Sequence, residues 1–224
     1  MRALVLDFGG VISRTLFETH AQTEAALGLP AGTLQWRGPF DPQSDALWRE
    51  MQAGRLSERD YWLQRTREVG RLLGEEWDEM RTLVQRARGV EPDRVARPET
   101  LALMREAHAA GLRLAILSNE LDLFYGAALR QRMAALRDVE LIVDATYTGI
   151  LKPDPRAYAL CTQQLGLAPG ECVFVDDQMR NVEGALRAGM VAVWFDVTRP
   201  HACCDEARHR VGLPVAGGRP DGPH

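Results

Sequence analysis

Of the 27 lysines and arginines in this 224-residue chain, one is a lysine: Lys152, in the segment Gly149-Ile150-Leu151-Lys152-Pro153-Asp154-Pro155. Lysine offers a compact ammonium on a flexible stem, whereas arginine offers a planar fork that a tight carboxylate or phosphate site does not readily admit. Lys152 is therefore the first candidate for a functional cation. Asp7 ends the apolar run Ala3 to Leu6, and Asp176 and Asp177 end the run Cys172 to Val175. Two adjacent carboxylates after a buried strand are costly unless something cationic sits beside them, which points to a metal site. A carboxylate such as Asp7 can attack phosphorus and form an acyl phosphate, splitting one hard step into two easier ones. Two anions repel, so that attack requires positive charge. Mg2+ bound by Asp7 and Asp177 would supply it by bridging the nucleophile and a phosphoryl oxygen.

The elements that would position these groups alternate along the chain. Ala3 to Leu6, Leu112 to Leu117, Cys172 to Val175 and Val191 to Trp194 read as buried strands. Helical stretches at Pro98 to Ala110, Pro155 to Leu165 and Arg180 to Ala188 separate the later strands. Strands alternating with helices of this length imply an α/β fold: a Rossmann-like parallel sheet flanked by helices, with right-handed crossovers. Ligands of such sheets gather at the carboxyl ends of the strands. The polar residues at those ends are Asp7, Ser118, Asn119, Asp176 and Asp177.

Residues 12 to 97 are too long for a simple crossover. They carry helical periodicity at Thr15 to Leu27, Gln43 to Ala53, Glu58 to Leu73 and Glu75 to Arg88, with turn residues at Gly28 to Gly32, Gly38 to Pro42, Gly54 to Ser57 and Gly89 to Pro92. Ser57 resembles an N-cap with an acidic first turn behind it. The reading is an inserted helical domain over residues 12–97, a core over 1–11 and 98–213, and a disordered tail over 214–224, rich in Gly and Pro. Trp36 to Phe40, with Trp48, either line a pocket in the insertion or pack its helices.

The formal charge of −4 and pI near 5.8 disfavour nonspecific binding to nucleic acid or to an anionic membrane. A small-molecule partner is expected. No apolar run reaches the roughly 20 residues of a membrane span and no signal peptide is evident, so a cytoplasmic location is expected. Cys161, Cys172, Cys203 and Cys204 lack metal-ligand or disulfide spacing and read as free thiols. Oligomeric state is not encoded in any motif.

Leu6-Asp7-Phe8-Gly9-Gly10-Val11, Leu117-Ser118-Asn119, Lys152-Pro153-Asp154-Pro155 and Val175-Asp176-Asp177 with Asn181, in that order, resemble the four motifs of the haloacid dehalogenase superfamily. The resemblance covers nearly the whole chain and implies that residues 12–97 form a cap. It implies catalytic roles for Asp7, Ser118 and Lys152. Phosphate contacts would come from Ser118, Asn119, Lys152 and Gly10. It further implies Mg2+ held by Asp7, the Gly9 carbonyl and Asp177, with Asp176 in or behind that set and Asn181 in support. The activity implied is Mg2+-dependent hydrolysis of a small phosphorylated metabolite through an aspartyl phosphate.

Gly9 departs from the pattern. Phosphatases of the superfamily usually carry a second aspartate there, which protonates the leaving alcohol and then activates water. General acid-base catalysis is worth about 10²- to 10⁴-fold, or roughly 3 to 5 kcal/mol of barrier. Its absence predicts a slow enzyme or one restricted to good leaving groups, unless substrate assistance, Asp41, Asp45, His20 or Glu120 fills the gap. It also keeps two other readings open: a metal-independent 2-haloacid dehalogenase, against which Asp176 and Asp177 argue, and a catalytically weak ligand-binding member.

Overall fold

The computed structural model describes residues 1–88, 92–126 and 128–215. Expectations for the turn at Gly89 to Pro92 and for the tail beyond residue 215 fall wholly or largely outside them. The strands are β1 (Ala3–Leu6), β2 (Arg113–Ser118), β3 (Leu141–Asp144), β4 (Cys172–Asp176) and β5 (Val191–Trp194). The α-helices are α1 (His20–Leu27), α2 (Ala46–Gln52), α3 (Glu58–Leu72), α4 (Met80–Arg88), α5 (Pro98–Ala109), α6 (Leu121–Tyr125), α7 (Leu129–Arg132), α8 (Ala145–Thr148), α9 (Pro155–Leu165), α10 (Met179–Arg187) and α11 (Pro200–Val211). Two compact units result: residues 1–13, 96–120 and 135–224 in one, residues 14–95 and 121–134 in the other.

The first unit is a parallel sheet in the order β3-β2-β1-β4-β5. β1 lies at its centre, with Leu6 opposite Ile116 of β2 on one side and Val175 of β4 on the other. Because side chains alternate across a strand, Ala3, Val5, Ala115, Leu117, Cys172 and Phe174 face one way, where they join Tyr158, Cys161 and Leu165 of α9 and Ala185 of α10 in one core cluster. α5 and α11 also pack on the sheet and against each other. Each large buried aliphatic side chain contributes about 1.5–3 kcal/mol. Gly184 brings α10 close, since a methyl there would lie 2.6 Å from the Tyr158 hydroxyl and 2.9 Å from Pro153.

β3 is absent from the strands expected above. It exposes only Leu141, Ile142 and Val143 as an apolar run before Asp144, and as an edge strand it pairs with β2 alone. α11, its N-terminus marked by Pro200, is a further addition.

The second unit is helical. Its core joins Phe17, Trp36, Met51, Tyr61, Val69, Trp77 and Leu83, with Trp48, Trp62, Phe124 and Tyr125 packed against them. Residues 121–134, expected in the sheet-bearing part, belong here through α6, which packs on α4. Besides α2, which covers only Ala46–Gln52, two further helices are shorter than the periodicity predicts. α1 starts at His20 after a tight turn at Phe17–Thr19, and α4 starts at Met80. In the second case Trp77 turns inward and its Nε1 donates to Glu75 at 2.8 Å. Ser57 does cap α3, its Oγ accepting from Asp60 N at 3.0 Å. Trp36 is a core residue, 4% exposed, with Phe17 edge-on at 5.5 Å.

Two buried acids organise this unit. Glu24 Oε2 and Oε1 accept from the amides of Gly32 and Leu34 at 2.9 and 2.8 Å, closing the loop after α1. Asp45 accepts from Gly38 N, Trp48 N, the Tyr61 hydroxyl and Arg65 Nη2 at 3.2, 2.9, 3.0 and 2.6 Å. His20 lies edge-on to Trp36 at 4.3 Å, and burial, with Arg37 and Arg65 adding to the effect against Glu24, pushes its imidazole down to about 4. Between an ordinary histidine value and pH 4 the unfolded chain therefore takes up a proton that the folded chain refuses. The stability of the protein should fall across that window by on the order of 3 kcal/mol. His20→Phe should flatten the pH 4–6.5 limb of a thermal-melting profile; an unchanged limb would assign the acid sensitivity elsewhere.

Candidate active site

The carboxyl ends of the three central strands bring together Asp7 after β1, Ser118 at the end of β2, and Asp176 and Asp177 at the end of β4. Lys152 arrives from the loop between α8 and α9, whose Lys152–Pro153 peptide is cis. Its side chain is 1% exposed, and Nζ lies 2.9 Å from Asp7 Oδ1 and 2.6 Å from Asp176 Oδ2, over the Phe174 ring at 5.3 Å. Burial alone would lower the lysine, yet Asp176 and Asp7 outweigh it and hold the group well above its ordinary value. It is an obligate cation.

Asp7 sits in the opposite balance. Burial, reinforced by Asp176, pushes its carboxyl up to about 7 against the pull of Lys152 and of the Phe8 amide. One ammonium thus serves a cluster in which Asp7, Asp176 and Asp177 each offer an oxygen within 4.8 Å of the others.

Asp176 is fully engaged as an anchor. Besides Lys152, it accepts from Gln178 N at 2.8 Å and from Asn181 Nδ2, 3.0 Å from one carboxylate oxygen and 3.1 Å from the other. Asn181 is held in turn by the buried Tyr158, whose hydroxyl donates to the Asn181 carbonyl at 2.7 Å. Asp177 is placed through its backbone, its carbonyl accepting from Trp194 Nε1 at 2.9 Å. Tyr158 and Trp194 carry no signal in the sequence, since each reads as an ordinary core or strand aromatic.

The turn Phe8–Ile12 follows Asp7. Gly10, at φ +75°, lies so close to Asp177 that a methyl there would fall 2.4 Å from Asp177 Oδ2. Only glycine lets the turn and that carboxylate share the space. Behind the turn, three successive carbonyls are tied to the start of α5. Gly10 O accepts from Arg97 Nη2 at 3.0 Å, Val11 O from Thr100 Oγ1 at 2.8 Å, and Ile12 O from Arg97 N at 2.8 Å. Arg97 and Thr100 also escape a reading of the sequence, because nothing in their types distinguishes a brace from a helix start.

Ser118 is buried at the strand end, its Oγ accepting from Glu120 N at 3.4 Å. Asn119 holds the lysine loop. Its Oδ1 accepts from Lys152 N at 2.7 Å and its Nδ2 donates to Lys152 O at 3.2 Å. The side-chain amide thus grips the backbone of the lysine from both sides. The four cysteines are free and buried, outside this cluster.

A family model described as haloacid dehalogenase-like hydrolase matches residues 1–189. The chain belongs to that family. A phosphatase of Mycobacterium tuberculosis is 38% identical over 100 residues, 44% of this chain and 46% of that protein. The putative phosphatase YhcW of Bacillus subtilis is 25% identical over 205 residues, covering 86% of this chain and 82% of its own length. The crystal structure of a dehalogenase superposes with a TM-score of 0.60 at 25% identity, covering 87% of this chain and 84% of the other. The chain spans less than half the length of the first curated relatives it matches. No helix among the described residues is long and apolar enough to cross a membrane.

Removing a buried cation strands its partners, at a cost of about 3–5 kcal/mol. Lys152→Met should lower the unfolding free energy by that amount in urea titrations, and Lys152→Met with Asp176→Asn should recover part of it. Strict additivity of the two losses would show that the ammonium and Asp176 are not coupled.

Proposed function

We propose that this chain is a Mg2+-dependent hydrolase of small phosphate monoesters, working through an aspartyl phosphate on Asp7. The observation that carries this reading is the charge arrangement: three carboxylates converge at the strand ends with one buried ammonium between two of them. Phosphatase-named relatives in the family add support. A metal-free displacement of halide from carbon would have no use for Asp177 beside Asp7, which is why the dehalogenase reading ranks second despite the likeness to a dehalogenase structure. A phosphorylated cytoplasmic metabolite is the expected partner.

The residues fit a divalent cation. The Gly10 turn packs against Asp177 with no room for a side chain, which sets the Asp7-Phe8-Gly9 backbone beside that carboxylate. The cation would be held by Asp7, Asp177 and the Gly9 carbonyl, with Asp176 supporting the set through Lys152 and Asn181. Bound there, Mg2+ would supply the positive charge that lets a carboxylate approach a phosphate.

Lys152 favours the ionised form of Asp7 and aims it, and offers its remaining donor capacity to the phosphoryl oxygens. Ser118 Oγ donates to one of those oxygens. Asp7 attacks phosphorus as the bond to the leaving oxygen breaks. Water then attacks the phosphoryl group, releasing phosphate and restoring Asp7. The helical unit, residues 14–95 and 121–134, serves as the cap that selects the substrate.

Hydrolysis of an aryl phosphate and of 2-chloropropionate, each with Mg2+ and with excess chelator, separates the two readings. Phosphate release that disappears with chelator is expected. Chelator-insensitive halide release without phosphate release would overturn the proposal. Asp7→Asn should reduce phosphate release to background while leaving the far-ultraviolet circular dichroism and the cooperative melt in place; retained turnover would rule out the covalent route.

A further inference from the structure

Transfer of a phosphoryl group to Asp7 leaves negative charge on the departing oxygen. In this chain, position 9 supplies no acid to neutralise it. The fold does not require glycine there: φ −67° and ψ 130° suit any residue, and a methyl on Gly9 would meet no heavy atom within 4 Å. Gly10 is the opposite case, with φ +75° and Asp177 in contact distance. Glycine at 10 is imposed by the fold, whereas the missing side chain at 9 is a matter of chemistry.

Three other groups that could donate a proton are committed. Asp176 is saturated by Lys152, Asn181 and Gln178 N. Asp45 accepts four hydrogen bonds, one from a guanidinium, so both its oxygens are occupied within the helical unit. His20 is buried edge-on to Trp36 and stays neutral at physiological pH.

We infer that the substrates are phosphates of weakly basic oxygens, acyl, enol or anomeric, whose leaving groups depart without taking up a proton. The inference rests on the phosphohydrolase reading above. The Asp7 oxygen–phosphorus bond forms, the bond from phosphorus to the leaving oxygen breaks, and that oxygen keeps the electron pair and is protonated later by solvent if at all. The same gap leaves no side chain at position 9 to activate water for the second step. The aspartyl phosphate therefore persists: hydrolysis of the intermediate limits turnover for the best substrates, while phosphoryl transfer limits it for the poorer ones.

The test is kcat/KM across acetyl phosphate, aryl phosphates of graded phenol acidity and simple alkyl phosphates, for the wild type, Gly9→Asp and Gly9→Asn. The expected wild-type profile falls steeply as the leaving group becomes more basic. Gly9→Asp should raise the alkyl phosphates by about 10²- to 10⁴-fold and flatten the slope, and Gly9→Asn, of similar size, should not. Acid-quenched wild type turning over acetyl phosphate should carry a covalent phosphate that Asp7→Asn lacks. A shallow wild-type slope would overturn the inference and point to Glu120 or Asp41 as the acid. Equal gains from Asp and Asn at position 9 would overturn it too. Should Gly9→Asp fail to fold, the wild-type slope and the trapped adduct decide alone. No phosphate release from any member, acetyl phosphate included, would instead sink the phosphohydrolase reading beneath it.

Discussion

The site rests on one buried ammonium. Lys152 lies between two carboxylates, sealed from water and set over an aromatic ring, and its charge offsets the cost of gathering Asp7 and Asp176 at one buried point. An arginine would bring charge but not the compact shape, since a planar fork cannot sit between two acids this close. The loop that carries Lys152 is shaped accordingly: Asn119 grips the lysine's backbone on both sides, and Gly184 lets α10 close down on Pro153. Asp176 takes its orientation from Asn181 and Asn181 from Tyr158, so the geometry around Lys152 and Asp7 reaches back into the core through a chain of hydrogen bonds.

That arrangement explains why Asp176 and Asp177 differ despite adjacency. Successive residues at a strand end face opposite ways. Asp176 turns toward Lys152 and spends both oxygens on fixed donors, whereas Asp177 meets the glycine turn that follows Asp7. One acid fixes the lysine and the other shapes the ground beside Asp7.

Much of this is legible in the sequence, for a physical reason. Buried parallel strands appear as short apolar runs that end at polar residues, so Asp7, Ser118, Asp176 and Asp177 announce both the fold and the strand ends where the acids and Lys152 converge. Composition singles out Lys152. What escapes is whatever depends on tertiary pairing. β3 is an edge strand with a three-residue apolar run, and only its hydrogen bonds to β2 reveal it. Trp77 delays the start of an expected helix by turning inward to Glu75. Arg97, Thr100, Tyr158 and Trp194 act through backbone carbonyls, and a carbonyl has no letter in the sequence. Asn119 stands out by its type, but its hold on the lysine loop depends on a contact that spacing does not encode.

The strand order has a kinetic consequence. β1, which leads into Asp7, lies between β2 and β4, both supplied from much later in the chain. Parallel pairing of this kind closes large loops before any contact repays the entropy lost. During synthesis the first strand must therefore wait, unpaired and apolar, until the segment through Asp176 has emerged. The three acids and the lysine that joins two of them are then assembled late and together, so a chain cut short before β4 would hold a strand with one open edge and no acidic cluster.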